Sequence, residues 1–184
     1  MAAVVASAIA AGSAWFITFH AQQENSPQII GGIPQAILSQ SPSLQLAYDR
    51  YTERGSKYIW GTNDCSVFLI DYMKGQGAPI KKRWTTRELF EPAKMDVFGY
   101  NFFGYPPEQS KAGDLVVFRY IGTEGTEVGH CGIVIEEGEQ KYVVHNSSPY
   151  GGVVTQSADG FFRQAKSLNA NLRIFRPKAH AHTI

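Results

Sequence analysis

Cys65, His130 and His145 are the residues whose types and spacing in this 184-residue chain suit nucleophilic chemistry. Cys65 follows Asn63-Asp64, either of which is a good helix cap, and opens the apolar run CSVFLIDYMKG. The thiol therefore falls in the first turn of a buried helix, where the helix end carries about half a positive charge and favours a thiolate. The competing reading of such a cysteine is a small buried hydrophobe. His130 opens the strand HCGIVIE. Alternation puts His130, Gly132 and Val134 on one face and Cys131, Ile133 and Ile135 on the other. Cys131 is thus expected in the core, which argues against a disulfide with Cys65 and against one zinc ion held by both His130 and Cys131.

His145 sits near the end of the next strand, KYVVHN. If the two strands form a hairpin about Gly138, residues whose numbers sum to about 276 pair across it. His130 then faces about residue 146, and the two histidines are neighbours at the open end. A bulge or a one-residue slip decides whether their rings meet. A Cys–His–His line divides the work of amide hydrolysis. The thiolate attacks the carbonyl, and the first histidine holds the thiol proton and returns it to the leaving amine. The second polar group fixes the first ring's tautomer, and backbone N–H groups at the helix start offer an oxyanion site. Zinc ligation by the same three side chains lacks a fourth ligand.

These residues need a helix and a hairpin to carry them. Ser41-Pro42 reads as a helix start, with Leu44, Ala47, Tyr48 and Tyr51 at helical spacing and Gly55 beyond the end. The Cys65 helix follows and is stopped by Gly75 and Gly77. Thr85 and Glu88 have capping-box spacing for a short third helix. The stretch from Pro92 to Pro107 is aromatic and irregular, suited to lining or covering a cleft. From residue 111 the pattern is LVVFRY, HCGIVIE, KYVVHN, VVTQ and NLRIFR, five strands separated by turns. Helices first and an antiparallel meander after them argue for an α+β domain over residues 41–178, with N-terminal helices packed on an antiparallel sheet.

Composition narrows the function. Lys+Arg is 17 against Asp+Glu 16, so the net charge of +1 lacks the basic excess of a nucleic-acid binder. The dense basic run Lys81-Lys82-Arg83 reads as a solvated loop. Two cysteines make neither a disulfide scaffold nor a CxxC zinc pair. Apolar residues at 43% suffice for one core.

No charged side chain precedes Glu24, and Ala2 to Phe19 is an uncharged stretch at the short end of the roughly 17–25 residues that span a bilayer. Residues 1–21 read as an uncleaved membrane anchor, an export signal or a buried Ala-rich helix. The signal reading lacks a basic start and a clean cleavage site. Residues 22–40, with Pro and Gly-Gly, read as a linker that wraps or tethers, and residues 179–184 as a polar tail. His20, His180 and His182 are given no role.

Four segments together resemble the NlpC-type cysteine peptidases, cell-wall endopeptidases of papain-like fold. Tyr58-Ile59-Trp60-Gly61 with Asp64-Cys65-Ser66 is similar to the family's Y-x-W-G…D-C-S segment. Ala112 to Phe118 is similar to its P-G-D-L-V-x-F strand, Gly129 to Ile135 to its H-V-G-I-Y strand, and Val144-His145 with Gly151-Gly152-Val153 to its closing I-H-A…G-V. The resemblance covers roughly residues 45–155. It implies Cys65 as nucleophile, His130 as base and His145 as the orienting group. It also implies Tyr58, Asp64 and Ser66 near the substrate's free amine or the oxyanion. Thr62, Asn63 and Val67 depart from the pattern, as does the long aromatic segment before the strand beginning at Leu115.

The implied activity is hydrolysis of an amide bond in the peptidoglycan stem peptide, from D-glutamate to the diamino acid, with no cofactor. The expected partners are stem peptides, the inner membrane and a secretion or cell-wall machine, but no nucleic acid. The expected place is the periplasmic face of the inner membrane, or an exported soluble form. The alternatives are another papain-like amidase or acyltransferase, and an inactive binding module of the same fold.

Overall fold

The computed structural model describes residues 29–104 and 107–178. The elements run β1 (Ile29–Gly31), α1 (Gln35–Leu38), α2 (Pro42–Glu53), α3 (Cys65–Gly75), α4 (Thr86–Leu89), α5 (Pro92–Val97) and β2 (Tyr100–Phe102). After a 3₁₀ turn at Pro107–Gln109 come β3 (Leu115–Ile121), β4 (Glu127–Glu137), β5 (Gln140–Ser147), β6 (Gly152–Ser157), α6 (Ala158–Ser167) and β7 (Asn171–Pro177).

The helix starts follow their capping chemistry. Ser41 accepts from the Leu44 N–H at 3.3 Å, with Pro42 in the first turn. Asp64, not Asn63, caps α3, accepting from the N–H groups of Ser66 and Val67 at 3.0 Å each. At α4 the Glu88 carboxylate accepts from the Thr85 N–H at 2.8 Å, closing the capping box. α2 buries Leu44, Ala47 and Tyr51 against α3. Two arginines of the α2 end, Arg50 and Arg54, reach the buried Asp71 of α3 at 3.1 and 2.6 Å. Gly75 lets the pair approach, since a Cβ there would lie 2.8 Å from the Ser43 Cα.

All seven strands form one antiparallel sheet in the order β1-β6-β5-β4-β3-β7-β2. The meander β3-β4-β5-β6 is its centre. Period-two alternation sorts the side chains. Leu115, Val117, Cys131, Ile133, Val144 and Phe175 share a core with α1–α3. Val116, Phe118, Val134, Val143 and Ile174 meet Phe161 and Ala165 of α6 on the other face.

The β4–β5 register pairs Ile133 with Val144, a sum of 277 and not 276. That single step decides which face His145 occupies. Under 276, His145 would share the Cys131 face and point away from His130; under 277 both rings point to the α6 face. Gly132 sets how closely the strands approach there. A Cβ on it would lie 2.4 Å from Val143 Cγ1, 3.1 Å from the Val144 carbonyl and 3.2 Å from His145 Cβ. Gly132→Ala is expected to destabilise the domain by about 1–3 kcal/mol through overpacking and to displace His145. Urea unfolding and residual activity check both effects, and an unchanged midpoint would refute the close-approach argument.

Three segments differ from the sequence expectation. Within the expected linker 22–40, residues 29–31 pair with β6 and Ile33, Ile37 and Leu38 are buried, so the folded domain begins by Ile29. The chain wraps because β6 would otherwise be an edge with unpaired backbone groups. The described part of the aromatic stretch from Pro92 is largely regular, not irregular. It forms α5 and the edge strand β2, with Tyr100 buried. Finally, α6 was masked in the sequence by Asp159 and Gly160. Ser157 caps it, and Ala158, Phe161 and Ala165 form its buried stripe.

Candidate active site

Asp64 caps α3 and so fixes where Cys65 stands. Its carboxylate holds the Ser66 and Val67 N–H groups and the Ser66 hydroxyl, the last at 2.7 Å. Among the described residues no group accepts from the Cys65 N–H, so the helix start offers that donor to an oxyanion. The loop before Asp64 is held by buried Asn63. Its side-chain amide donates to the Lys57 carbonyl at 2.9 Å, its carbonyl accepts from Arg54 Nε at 3.1 Å, and its backbone carbonyl accepts from Asn146 Nδ2 at 2.8 Å.

The Cys65 thiol is buried, and both Cys131 and His130 act on its titration. The Cys131 hydrogen bond, followed by the His130 charge, holds the thiol well below the ordinary thiol range, against a burial effect in the other direction. Cys131 moves the opposite way, because burial and the neighbouring Cys65 charge favour its neutral form. One of the two thiols is therefore the anion and the other its donor.

His130 Nε2 and His145 Nδ1 are 2.8 Å apart, and His145 Nε2 is 3.1 Å from Gln156 Oε1. Gln156 presents an acceptor, so the His145 proton resides on Nε2 and its bare Nδ1 accepts from His130 Nε2–H. Burial and the His130 charge hold His145 well below the usual histidine range, which keeps it neutral for that role. His130 then has Nδ1 free to exchange a proton with Cys65. Phe161 packs on both rings, with centroids 5.9 Å from His130 and 5.1 Å from His145.

The structure thus joins His130 to His145 and extends that pair to Gln156, with the His130 charge acting on Cys65. Tyr58 lies close enough to Cys65 and Asp64 for both charges, with burial, to push its hydroxyl up and keep it protonated as a donor. Ser66 spends its hydroxyl on Asp64. Among the described residues no three His, Cys, Asp or Glu side chains group so as to hold a metal ion.

Three partners escaped the sequence reading. Gln156 shares the His145 face of the sheet, so a polar residue inside the apolar strand VVTQ was its only signal. Cys131 was read as core filling. Arg83, read as part of a solvated loop, donates to Asp64 Oδ2 at 2.8 Å and to the Gly61 carbonyl. A separate cavity between β5, α6 and the 3₁₀ turn, lined by Lys141, Asp159 and Arg163, contains none of these groups.

The Cys131 bond carries a pH prediction. Cys131→Val should raise the midpoint of Cys65 alkylation by iodoacetamide towards about 8.5, the ordinary thiol value, while Cys131→Ser keeps a donor and most of the depression. At neutral pH the Val variant then reacts more slowly. An unmoved midpoint in Cys131→Val would make Cys131 a packing residue only.

A capped helix carrying a thiol, set against an antiparallel sheet carrying a histidine pair, defines a papain-like domain of α+β class. The NlpC/P60 family profile matches residues 55–171, and the chain belongs to that family. The family comprises cysteine peptidases and amidases that act on peptidoglycan. Comparison with curated proteins gave no match. A crystal structure of an NLP/P60-family protein from Staphylococcus aureus, described as similar to a lipoprotein, is 19% identical with a TM-score of 0.47. The match covers 85% of this chain and 45% of that one, so the chain spans less than half of that protein's length.

Proposed function

We propose that the chain is a thiol hydrolase of the peptidoglycan stem peptide, cutting the bond from D-glutamate to the diamino acid, with Cys65, His130 and His145 in the line of proton transfer. The observation that carries this reading is the His130–His145 pair at 2.8 Å, whose first ring acts on the Cys65 thiol at the capped helix start. It supplies a nucleophile, a base and a tautomer-fixing group in the order that amide hydrolysis needs. Cys65 attacks the carbonyl carbon, and the oxyanion takes the Cys65 N–H with the Tyr58 hydroxyl beside it. His130 protonates the departing amine, then removes a proton from the water that releases the acyl group.

Residues 1–21, outside the described residues, serve in this proposal as the membrane anchor or export signal that brings the domain to the wall. Among the described residues no helix is long and apolar enough to cross a membrane. The chain then acts at the periplasmic face, in the cell's own wall or within a secretion machine.

Mass spectrometry of purified peptidoglycan fragments incubated with the full chain tests the proposal. New products ending at D-glutamate are expected. Products cut elsewhere would replace the bond, and no products from a folded protein whose Cys65 still alkylates would refute the substrate.

A further inference from the structure

We propose that Arg83 determines substrate choice: by occupying Asp64 it closes the position expected to take a free ammonium, and it directs the site to stem peptides whose amino end is still acylated. This rests on the stem-peptide reading. Asp64 Oδ1 accepts from the Ser66 and Val67 N–H groups and the Ser66 hydroxyl, at 3.0, 3.0 and 2.7 Å. Oδ2 accepts from the Gly61 N–H at 2.9 Å and from Arg83 Nη2 at 2.8 Å. A carboxylate offers about four lone-pair sites, so five donors leave none for a substrate ammonium. The Asp64 side chain is 4% exposed, and among the described residues Arg83 is the charged group paired with it. An incoming ammonium would have to expel a guanidinium that also holds the Gly61 carbonyl.

Arg83 itself remains 44% exposed. Its guanidinium thus presents donors at the rim, where an acyl carbonyl or a carboxylate oxygen is the complementary group. Arg83 and Asp64 are joined at 2.8 Å directly before the Cys65 helix, so the guanidinium lies beside the nucleophile's helix start. A stem peptide joined to its glycan strand has its first amine in an amide. A released peptide has that amine free and cationic. The first kind fits this rim and the second meets an occupied carboxylate and like charge.

Two measurements test the assignment. The full chain is given one stem tetrapeptide in N-acetylated and free-amine forms, and kcat/KM is compared. The acetylated form is expected to be cut at least as fast, and a tenfold preference for the free amine would overturn the proposal. Arg83→Gln, which bares Asp64, should shift the ratio towards the free amine, and Arg83→Lys should not. The second measurement needs no peptide. The rate of Cys65 alkylation by iodoacetate relative to neutral iodoacetamide should fall several-fold in Arg83→Gln and hold in Arg83→Lys. If neither peptide is cut while iodoacetamide still reacts, the stem-peptide reading fails. The alkylation ratio then decides whether Arg83 governs charge at this cleft, and a ratio unchanged by Arg83→Gln rejects it. Far-UV circular dichroism establishes that each variant is folded.

Discussion

Cys65→Ala is expected to lower hydrolysis of stem peptides by about 10⁴-fold or more, because it removes the atom that forms the acyl-enzyme bond. The fold should persist. Cys65 is buried at 4% exposure in the larger core, and losing one sulfur there costs about 1 kcal/mol, as for other single-atom core deletions. Cys131 cannot take over, although it lies against the same site. Its thiol is 1% exposed and pushed up by burial, so it stays neutral and out of a substrate's reach. Comparing product formation with a thermal melt separates loss of chemistry from loss of structure. Activity retained by a folded Cys65→Ala protein would remove the proposed mechanism altogether.

The asymmetry between the two cysteines shows where sequence reasoning stops. Alternation along HCGIVIE correctly separates His130 and Cys131 onto opposite faces. It does not follow that only one of them can touch Cys65. Both act on the Cys65 thiol, and what surrounds a buried sulfur is a tertiary result. Register behaves similarly. The hairpin about Gly138 was legible, and a one-residue difference in it settles whether two histidines meet or point apart.

Signals local in sequence were read well. Ser41, Asp64 and Thr85 cap helices because each needs only donors three residues away. The strands from Leu115 to Ser157 follow from their own alternation. What eluded that reading joins distant positions. β1 forms only because β6 has an open edge, and Arg83 turns inward only because Asp64, nineteen residues earlier, has one oxygen to share. A run of three basic residues looks the same whether it ends in water or on a carboxylate. Gln156 likewise becomes informative only once β5 and β6 lie side by side.

His130→Ala should cost about 10²–10⁴-fold in kcat, since the departing amine then leaves without a positioned acid. A second effect follows from electrostatics. The His130 charge and hydrogen bond both favour the Cys65 thiolate, so their removal raises the thiol's midpoint. The sign is fixed: a group whose anion loses a stabilising cation titrates at higher pH, so alkylation at neutral pH slows and recovers on going alkaline. Recovery should be partial, because the Cys131 hydrogen bond remains and is the larger contributor. His145→Asn should be milder, since an amide oxygen can still accept from His130 Nε2–H. Gln156→Ala should resemble it, by freeing the His145 ring to adopt the other tautomer. Effects within such a line are not additive, so His130→Ala combined with His145→Asn should be little worse than His130→Ala alone. A double variant that lost the product of both factors would mean that the two histidines act on separate steps.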